Sequence, residues 1–180
     1  MWKFIRLALI CGPRILWNYA TKITRYGRHP EKYPIEKRYK VTRNLIGFVT
    51  NKLRLNLHLE GEEYLNPETP CLFVGNHLSM TDIVLITSLS RKPLAFVSKI
   101  EAAHRPFVAS GLRAMGGLFL DRNDIRASVG VLLEAEKKIS SKTESMVIYP
   151  EGTRNRNPEN EIGDFHYGSF KAAMRAGVPI

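Results

Sequence analysis

Two residues that could form a proton-transfer pair, His77 and Asp82, lie five positions apart in the stretch GNHLSMTD. Imidazole side chains gain and lose protons near neutral pH, which suits a general base. A carboxylate bonded to the other ring nitrogen would fix the tautomer of the histidine and stabilise its charged form. In a straight helix, residues five apart point about 140° away from each other. The pair therefore requires His77 in a turn and Asp82 in the first turn of a helix.

The same stretch also has a simpler structural interpretation. Ser79 and Asp82 have the spacing of a capping box, in which two side chains bond the first backbone amides of a helix. Taken alone, the stretch fits this cap better than it fits a catalytic pair. Residues elsewhere in the chain must distinguish the two.

The sequence offers no clear side-chain nucleophile to accompany the pair. It lacks a G-x-S-x-G motif, and Cys71 lies within an apolar run. The simplest scheme makes a hydroxyl of the substrate the nucleophile, with His77 as its base. A metal site is disfavoured, because no further histidine or carboxylate stands at ligand spacing from His77 and Asp82.

The elements that would position these residues alternate along the chain. Apolar runs predict strands at 71–74, 94–97, 118–120 and 146–149, and the segments between and after them predict helices at 80–89, 106–115, 125–139 and 170–176. Further towards the N-terminus, 26–40 resembles a linker, 41–54 has helical spacing, and 55–59 alternates like a strand. This alternation indicates an α/β domain with a mostly parallel sheet flanked by helices.

Each predicted strand of this domain ends in polar residues. They are Asn76 and His77 after the first strand, Lys99 after the second, Arg122 after the third, and Glu151, Gly152, Thr153 and Arg154 after the fourth. Ligands of open α/β sheets bind outside the carboxyl ends of the strands. Arginine suits phosphate, a glycine lets the backbone approach a ligand, and Glu151 would orient Arg154 or accept a substrate hydroxyl. A surface salt bridge would be enough to explain the presence of Arg122 or Arg154 taken alone. Because both follow the ends of predicted strands, an anion-binding site is favoured.

The charge of the chain is concentrated at one end. The net charge is +10, and residues 1–60 carry 13 Lys and Arg against 3 Asp and Glu, whereas residues 61–180 carry 14 of each. Such asymmetry indicates a polyanionic partner, either nucleic acid or an anionic membrane. Because the basic region contains no nucleic-acid-binding motif, we expect no nucleic acid partner. The two distant cysteines, Cys11 and Cys71, favour a reducing compartment.

The first twenty residues favour the membrane. Aromatic and aliphatic residues are interleaved there with Lys3, Arg6 and Arg14, and Gly12-Pro13 interrupts the pattern. An interfacial or re-entrant helix fits this sequence better than a span, with a packing helix that has a solvated basic surface as the alternative. We expect residues 1–54 to form a membrane-associated helical region on the cytoplasmic face, and residues 55–180 to form the α/β domain.

With these residues identified, the chain resembles the 1-acyl-sn-glycerol-3-phosphate (lysophosphatidic acid) acyltransferases, the PlsC-like glycerolipid acyltransferases. The resemblance lies in ordered motifs: the N-H-x4-D of residues 76–82, Ser98-Lys99, the GLFLDR of 117–122, the PEGTR of 150–154 and the VPI of 178–180. Four blocks in order, with the Ser98-Lys99 stretch between the first two, are far more specific than the first one alone. Since the chain stops inside the last motif, we expect the C-terminal part of the family domain to be missing.

This resemblance implies an activity and a set of site residues. Acyl transfer from acyl-CoA or acyl-carrier protein to the sn-2 hydroxyl of lysophosphatidic acid would give phosphatidic acid, with no metal and no cofactor beyond the acyl donor. His77 and Asp82 would be catalytic. The implied substrate-binding residues are Asn76, Lys99, Phe119, Arg122, Glu151, Gly152, Thr153, Arg154 and Pro179. Near 165–168, where family members usually carry a basic residue, this chain has His166.

Two other interpretations remain open at this point. The acceptor could be glycerol-3-phosphate, another lysophospholipid or a lipid-A-like sugar, because the motifs specify an acyltransferase better than its acceptor. In a different class, the chain could be a membrane- or RNA-binding module without catalysis, whose function would survive the His77→Ala substitution.

Overall fold

A computed structural model describes residues 2–155 and 162–180 of the chain. The N-terminal part is helical: α1 (Trp2–Asn18) continues through a π-helical turn (Tyr19–Ile23) into α2 (Thr24–Arg28), and α3 (Ile35–Leu53) follows. The rest alternates strands and helices in the order β1 (Leu72–Val74), α4 (Met80–Leu89), β2 (Leu94–Lys99), α5 (Pro106–Ala114), β3 (Leu118–Leu120), α6 (Ile125–Ser140), β4 (Ser145–Ile148) and α7 (Lys171–Ala176).

The four strands form one parallel sheet in the order β1-β4-β2-β3. On one face, Leu72 and Met146 pack with Ile139 of α6 and Ala173 of α7. On the other, residues that include Phe96 and Val147 of the sheet, Tyr39 of α3 and Leu112 of α5 form a second buried cluster. The sheet is thus covered on both sides, as parallel sheets require, and the predicted α/β class is confirmed.

Local sequence signals account for most of the α/β elements. Ser79 caps α4 with a complete capping box, Asp124 caps α6 by accepting from the amide of Ala127, and Gly177 ends α7 at φ +62°. The strands and helices after residue 70 lie within two residues of their predicted positions. The carboxyl ends of all four strands consequently meet at one edge of the sheet.

The prediction of a linker from 26 to 40 is wrong for most of that segment, since α3 begins at Ile35. The reason is tertiary. Arg38 is buried and donates hydrogen bonds to the carbonyl oxygens of Tyr33, Arg113 and Ala114, and Tyr39 is almost fully buried in the core. A charged sequence thus forms a helix because its polar groups find partners on α5.

The predicted strand at 55–59 is also wrong. The chain leaves α3 through Arg54 in a left-handed conformation and then runs irregularly, with Leu55, Leu57 and Leu59 all exposed. Alternating leucines specify a strand only where a neighbouring strand accepts their backbone hydrogen bonds.

The N-terminal helices pack against α5. Gly27 of α2 lies so close to this helix that a β-carbon there would come within 2.8 Å of the carbonyl oxygen of Ser110. Tyr19 stacks on Phe107 with ring centroids 3.6 Å apart. Over residues 2–155 and 162–180, no helix is both long and apolar enough to cross a membrane. Through the contacts of Gly27 and Tyr19 with α5, the helical region supports one wall of the α/β domain directly.

Candidate active site

One oxygen of Asp82 organises the turn between β1 and α4. Its Oδ2 lies 2.9 Å from Nδ1 of His77 and also accepts hydrogen bonds from the backbone amides of Leu78, at 2.8 Å, and Ser79, at 2.9 Å. Ser79 in turn accepts a bond from the amide of Thr81. The two interpretations of GNHLSMTD are therefore compatible, since the carboxylate that closes the capping box also holds the histidine.

The hydrogen bonds to Asp82 keep it ionised. Partial burial acts to raise the pKa of this carboxyl, but the bonds from the amide of Ser79, the ring of His77 and the amide of Leu78, together with the charge of a protonated His77, outweigh it. The net effect is a pKa below the ordinary value. An anionic Asp82 fixes a proton on Nδ1 of His77 and leaves Nε2 as the nitrogen that can exchange protons with a ligand.

The ring of His77 is held from a second side by Tyr149. The two rings stack with centroids 4.3 Å apart and planes 17° from parallel, and the histidine side chain is only 14% exposed. Burial, with a smaller contribution from the charge of Asp82, raises the pKa of Tyr149 and keeps its phenol neutral. Sequence reasoning placed Tyr149 at a strand end without a role. The register of β1 with β4, which pairs Val74 with Ile148, brings it beside His77.

The segment after β4 holds the backbone of His77. Glu151 is 5% exposed, and its Oε1 accepts a hydrogen bond from the amide of His77 at 3.2 Å. The amide of Asn155 donates to the backbone carbonyl of His77 at 2.7 Å. We predicted that Glu151 would orient Arg154 or accept a substrate hydroxyl. The structure instead gives its carboxylate a backbone partner 74 residues away, and within the described residues it forms no ion pair with Arg154.

A cavity of about 660 Å³ opens at the carboxyl edge of the sheet, and His77 lines it. Its polar lining includes Lys99, Arg122, Thr153, Arg154 and His166. Most of the remaining wall is apolar and comes from α4, α5, α6 and the strand ends, with Met80, Ile83, Val97, Val108, Leu112, Leu120, Val129 and Leu132 among its residues. The site therefore brings a carboxylate-bonded histidine, several cationic side chains and an apolar wall together around one space.

Gly152 allows Arg122 to reach this space. Its φ is +67°, and a β-carbon at this position would overlap with the guanidinium of Arg122. Arg122 therefore lies directly against the backbone of the PEGTR segment. The structure thus brings together the arginine after β3 and the glycine after β4, two of the residues predicted to bind an anion.

Four predicted substrate contacts do not line the cavity: Glu151, described above, and Asn76, Phe119 and Pro179. Asn76 is exposed outside it. Phe119 packs against the core cluster beneath the sheet, with the guanidinium of Arg113 5.2 Å from its ring centroid. Pro179 is exposed, and its carbonyl accepts the amide of Leu72 at the start of β1, the end of the strand opposite to His77. Phe119 and Pro179 thus have contacts within the fold, whereas Asn76 is exposed in the turn after β1.

Comparison with known proteins agrees with this geometry. Residues 56–180 match the model of the family described as Acyltransferase. A probable 1-acyl-sn-glycerol-3-phosphate acyltransferase of Mycoplasma pneumoniae is 31% identical over 99% of this chain and 68% of its own length. The 1-acyl-sn-glycerol-3-phosphate acyltransferase of Escherichia coli is 30% identical over 67% of this chain and 47% of its own.

A solved structure shares the fold. The crystal structure of the 1-acyl-sn-glycerophosphate acyltransferase PlsC from Thermotoga maritima aligns with a TM-score of 0.63 at 27% identity, covering 98% of this chain and 72% of that one. The chain spans a smaller part of some relatives. It covers only 35% of the chloroplastic 1-acyl-sn-glycerol-3-phosphate acyltransferase BAT2 of Brassica napus, to which it is 33% identical over 68% of its own length.

We expect the Gly152→Ala substitution to destabilise the protein by about 1–3 kcal/mol, because alanine at φ +67° is strained. The matched control is Gly130→Ala in the interior of α6, where a β-carbon meets no atom within 4 Å and should stabilise the helix by about 0.5–1 kcal/mol. Denaturant unfolding measures both free energies. Equal effects of the two substitutions would contradict this account of Gly152.

The lowered pKa of Asp82 predicts a pH-dependent contribution to stability. The ionised carboxyl is favoured in the folded state, so its contribution is complete above the unfolded pKa of about 3.9 and is lost as the pH falls through the folded pKa. The free energy of unfolding of the wild type minus that of Asp82→Asn should thus be retained from pH 7 to about 5 and shrink below pH 4. Urea titrations across this range measure it, and a difference that stays constant into acid would show that Asp82 has an ordinary pKa.

Proposed function

This chain belongs to the acyltransferase family, and from that premise we propose that it transfers a fatty acyl group from a thioester donor to the sn-2 hydroxyl of 1-acyl-glycerol-3-phosphate. The product is phosphatidic acid, and the donor is acyl-CoA or acyl-carrier protein. The names of the relatives support this acceptor, since those cited above act on 1-acyl-sn-glycerol-3-phosphate according to their descriptions.

The observation that carries the proposal is the position of the His77–Asp82 pair. His77, held by Asp82, lines a cavity whose wall contains both cationic and apolar side chains. A lysophosphatidic acid molecule has a phosphate, a free hydroxyl and an acyl chain. The cationic part suits the phosphate, the apolar wall suits acyl chains, and His77 lies where the hydroxyl must react. Simple phosphate binding would leave the apolar volume and the carboxylate-held histidine without a use.

The chemistry follows from the protonation states. Nε2 of His77 removes the proton of the sn-2 hydroxyl as its oxygen attacks the thioester carbonyl, and Asp82 stabilises the imidazolium that forms. The tetrahedral intermediate then collapses, the carbon–sulfur bond breaks, and the imidazolium returns the proton to the departing thiolate. The ester and the free thiol are the products, so the histidine begins and ends each turnover in the same state.

The residues around the base contribute by position. Lys99, Arg122 and Arg154 anchor the phosphate and thereby hold the hydroxyl near Nε2 of His77, an effect that can supply several kcal/mol of the rate acceleration. Glu151 fixes the backbone of the histidine. Tyr149 limits the rotation of its ring and, as a neutral phenol, adds no charge that would disturb proton transfer.

The N-terminal region holds the site at the cytoplasmic surface of an anionic membrane in this proposal. Its support is the exposure of large apolar residues on α1, among them Trp2 at 84% and Leu9 at 71%, next to a basic sequence. Exposed aromatic and aliphatic side chains beside cations are typical of interfacial helices. Lysophosphatidic acid and its product both reside in such a surface.

Substitution of the base tests the activity. We expect His77→Ala to reduce kcat by about 10²–10⁴-fold, since the general base is removed, and Asp82→Asn to have a similar effect because the amide cannot stabilise an imidazolium. The measurement is phosphatidic acid formation from labelled acyl thioester and lysophosphatidic acid. Glycerol-3-phosphate and lysophosphatidylcholine serve as competing acceptors in parallel reactions.

Controls separate loss of chemistry from loss of fold. His104→Ala replaces an exposed histidine outside the cavity lining and should leave kcat unchanged. Retained turnover in His77→Ala would refute the role of His77 as the general base. Turnover of another acceptor in preference to lysophosphatidic acid would refute the proposed substrate.

Removing one phosphate anchor should affect binding more than chemistry. We expect Arg154→Ala to raise the KM for lysophosphatidic acid by about tenfold or more while kcat changes less, because a charge-assisted hydrogen bond to the phosphate is lost. Arg91→Ala is the matched control, since this exposed arginine precedes β2 at the opposite end of the sheet. An unchanged KM in Arg154→Ala would exclude the anchoring role.

A further inference from the structure

A second concave surface lies among the N-terminal helices, away from the active-site cavity. It is an open groove of about 620 Å³, lined by Arg14 of α1, by Arg43 and its neighbours on α3, by Arg54 at the end of α3, and by the end of α4. We call it the arginine groove. Its lining residues contain no Asp or Glu within the described parts of the chain, so the groove carries three uncompensated positive charges.

The protein gives the three guanidinium groups of the groove no anionic partner among the described residues. Over the described residues, none of the three forms a side-chain hydrogen bond or ion pair with the rest of the chain. Arg14 lies over the ring of Phe48 at 4.2 Å, and Nε of Arg43 is buried without an acceptor. A buried donor without a partner costs free energy that a bound acceptor would recover.

We propose that the arginine groove binds the phosphate of an anionic phospholipid. Planar guanidinium forks match phosphate oxygens, and Asn44 and Asn51 add neutral donors to the lining. The same lining contains Leu55 and Leu57, which are exposed and come directly after Arg54 in the sequence. A groove with cations in one part and leucines in another fits an amphiphile better than a free phosphate or a nucleic acid backbone.

The groove is a separate site from the one that binds the proposed substrate. No residue that lines it also lines the active-site cavity. Helix α4 links the two: Met80 and Ile83 line the cavity near its start, and Ser88 and Leu89 line the groove at its end. At 1.5 Å per residue, Met80 and Leu89 at the two ends of the helix lie roughly 13 Å apart along its axis, and the nearest lining residues of the two sites, Ile83 and Ser88, roughly 7.5 Å apart. A lipid in the groove would therefore not compete with a ligand beside His77.

The neighbouring surface supports a lipid as the source of the phosphate. Trp17 lies three residues after Arg14, on the same side of α1, and is 67% exposed; Leu55 and Leu57 of the groove are exposed as well. A phospholipid bound by its phosphate at the groove would have acyl chains that can contact such side chains. A soluble phosphate ester could use only the arginines.

Charge-preserving substitution tests the site. The variant Arg14→Lys, Arg43→Lys, Arg54→Lys keeps the net charge but removes the planar forks. The matched control, Arg6→Lys, Arg25→Lys, Arg28→Lys, makes the same change at three exposed arginines of α1 and α2 outside the groove. Co-sedimentation of the full chain with phosphatidylcholine vesicles, with and without phosphatidylglycerol, gives the binding constants.

We expect the groove variant to bind phosphatidylglycerol vesicles about tenfold more weakly than the wild type, and the control to bind like the wild type. Binding to pure phosphatidylcholine should be the same for all three proteins. Equal losses in both variants, or in neither, would overturn the site, because a general electrostatic attraction does not distinguish arginine positions. Since vesicle binding is the readout, this result is independent of acyltransferase turnover.

Two further arms identify the source of the phosphate and exclude misfolding. Soluble glycerophosphate or an RNA homopolymer that displaces the wild type from vesicles, while leaving the groove variant unaffected, would overturn the lipid assignment. Single variants at the exposed Arg14 and Arg54 guard against damage from the half-buried Arg43. Each should show a smaller loss in the same direction with an unchanged melting temperature, and no loss in either would contradict the proposal.

Discussion

The geometry of the site depends on a single carboxylate oxygen that accepts three hydrogen bonds. Oδ2 of Asp82 bonds the ring of His77 and the amides of Leu78 and Ser79, so the same atom begins helix α4 and orients the histidine. Any displacement of the helix start therefore displaces His77. The two tasks reinforce each other, since the amides that require a cap also keep the carboxylate ionised.

The sheet order brings the other components to this pair. Because β4 lies between β1 and β2, the segment after it is adjacent to the turn that carries His77. Tyr149 then stacks on the ring of the histidine, and Glu151 holds its backbone amide. On the far side of the sheet order, β3 delivers Arg122 to the open space beside Gly152. The site is therefore a property of four strand ends, not of one motif.

The sequence predicted those features that depend on neighbouring residues. The strands, the capped helices and the need for a turn at His77 follow from local patterns of apolar and polar residues. Prediction from the sequence was wrong where contacts between distant residues determine the secondary structure. The start of α3 depends on hydrogen bonds from Arg38 to α5, and residues 55–59 lack a strand to pair with. The backbone contact of Glu151 spans 74 positions, and no local signal distinguishes it from a contact with nearby Arg154. For the arginine groove, the sequence indicated only a general excess of basic residues in its first sixty positions.

The edge position of β1 has a consequence for the order in which the protein folds during synthesis. β1 pairs with no strand but β4 in the described structure, and the two are separated by about seventy residues of chain. Until β4 has left the ribosome, β1 has no partner for its backbone, and the turn with His77 lacks the bonds from Glu151 and Asn155. Contacts so distant in sequence form late, because closing the intervening loop costs entropy first. A nascent chain can thus form α4 and β2 while the backbone of His77 is still not held in place.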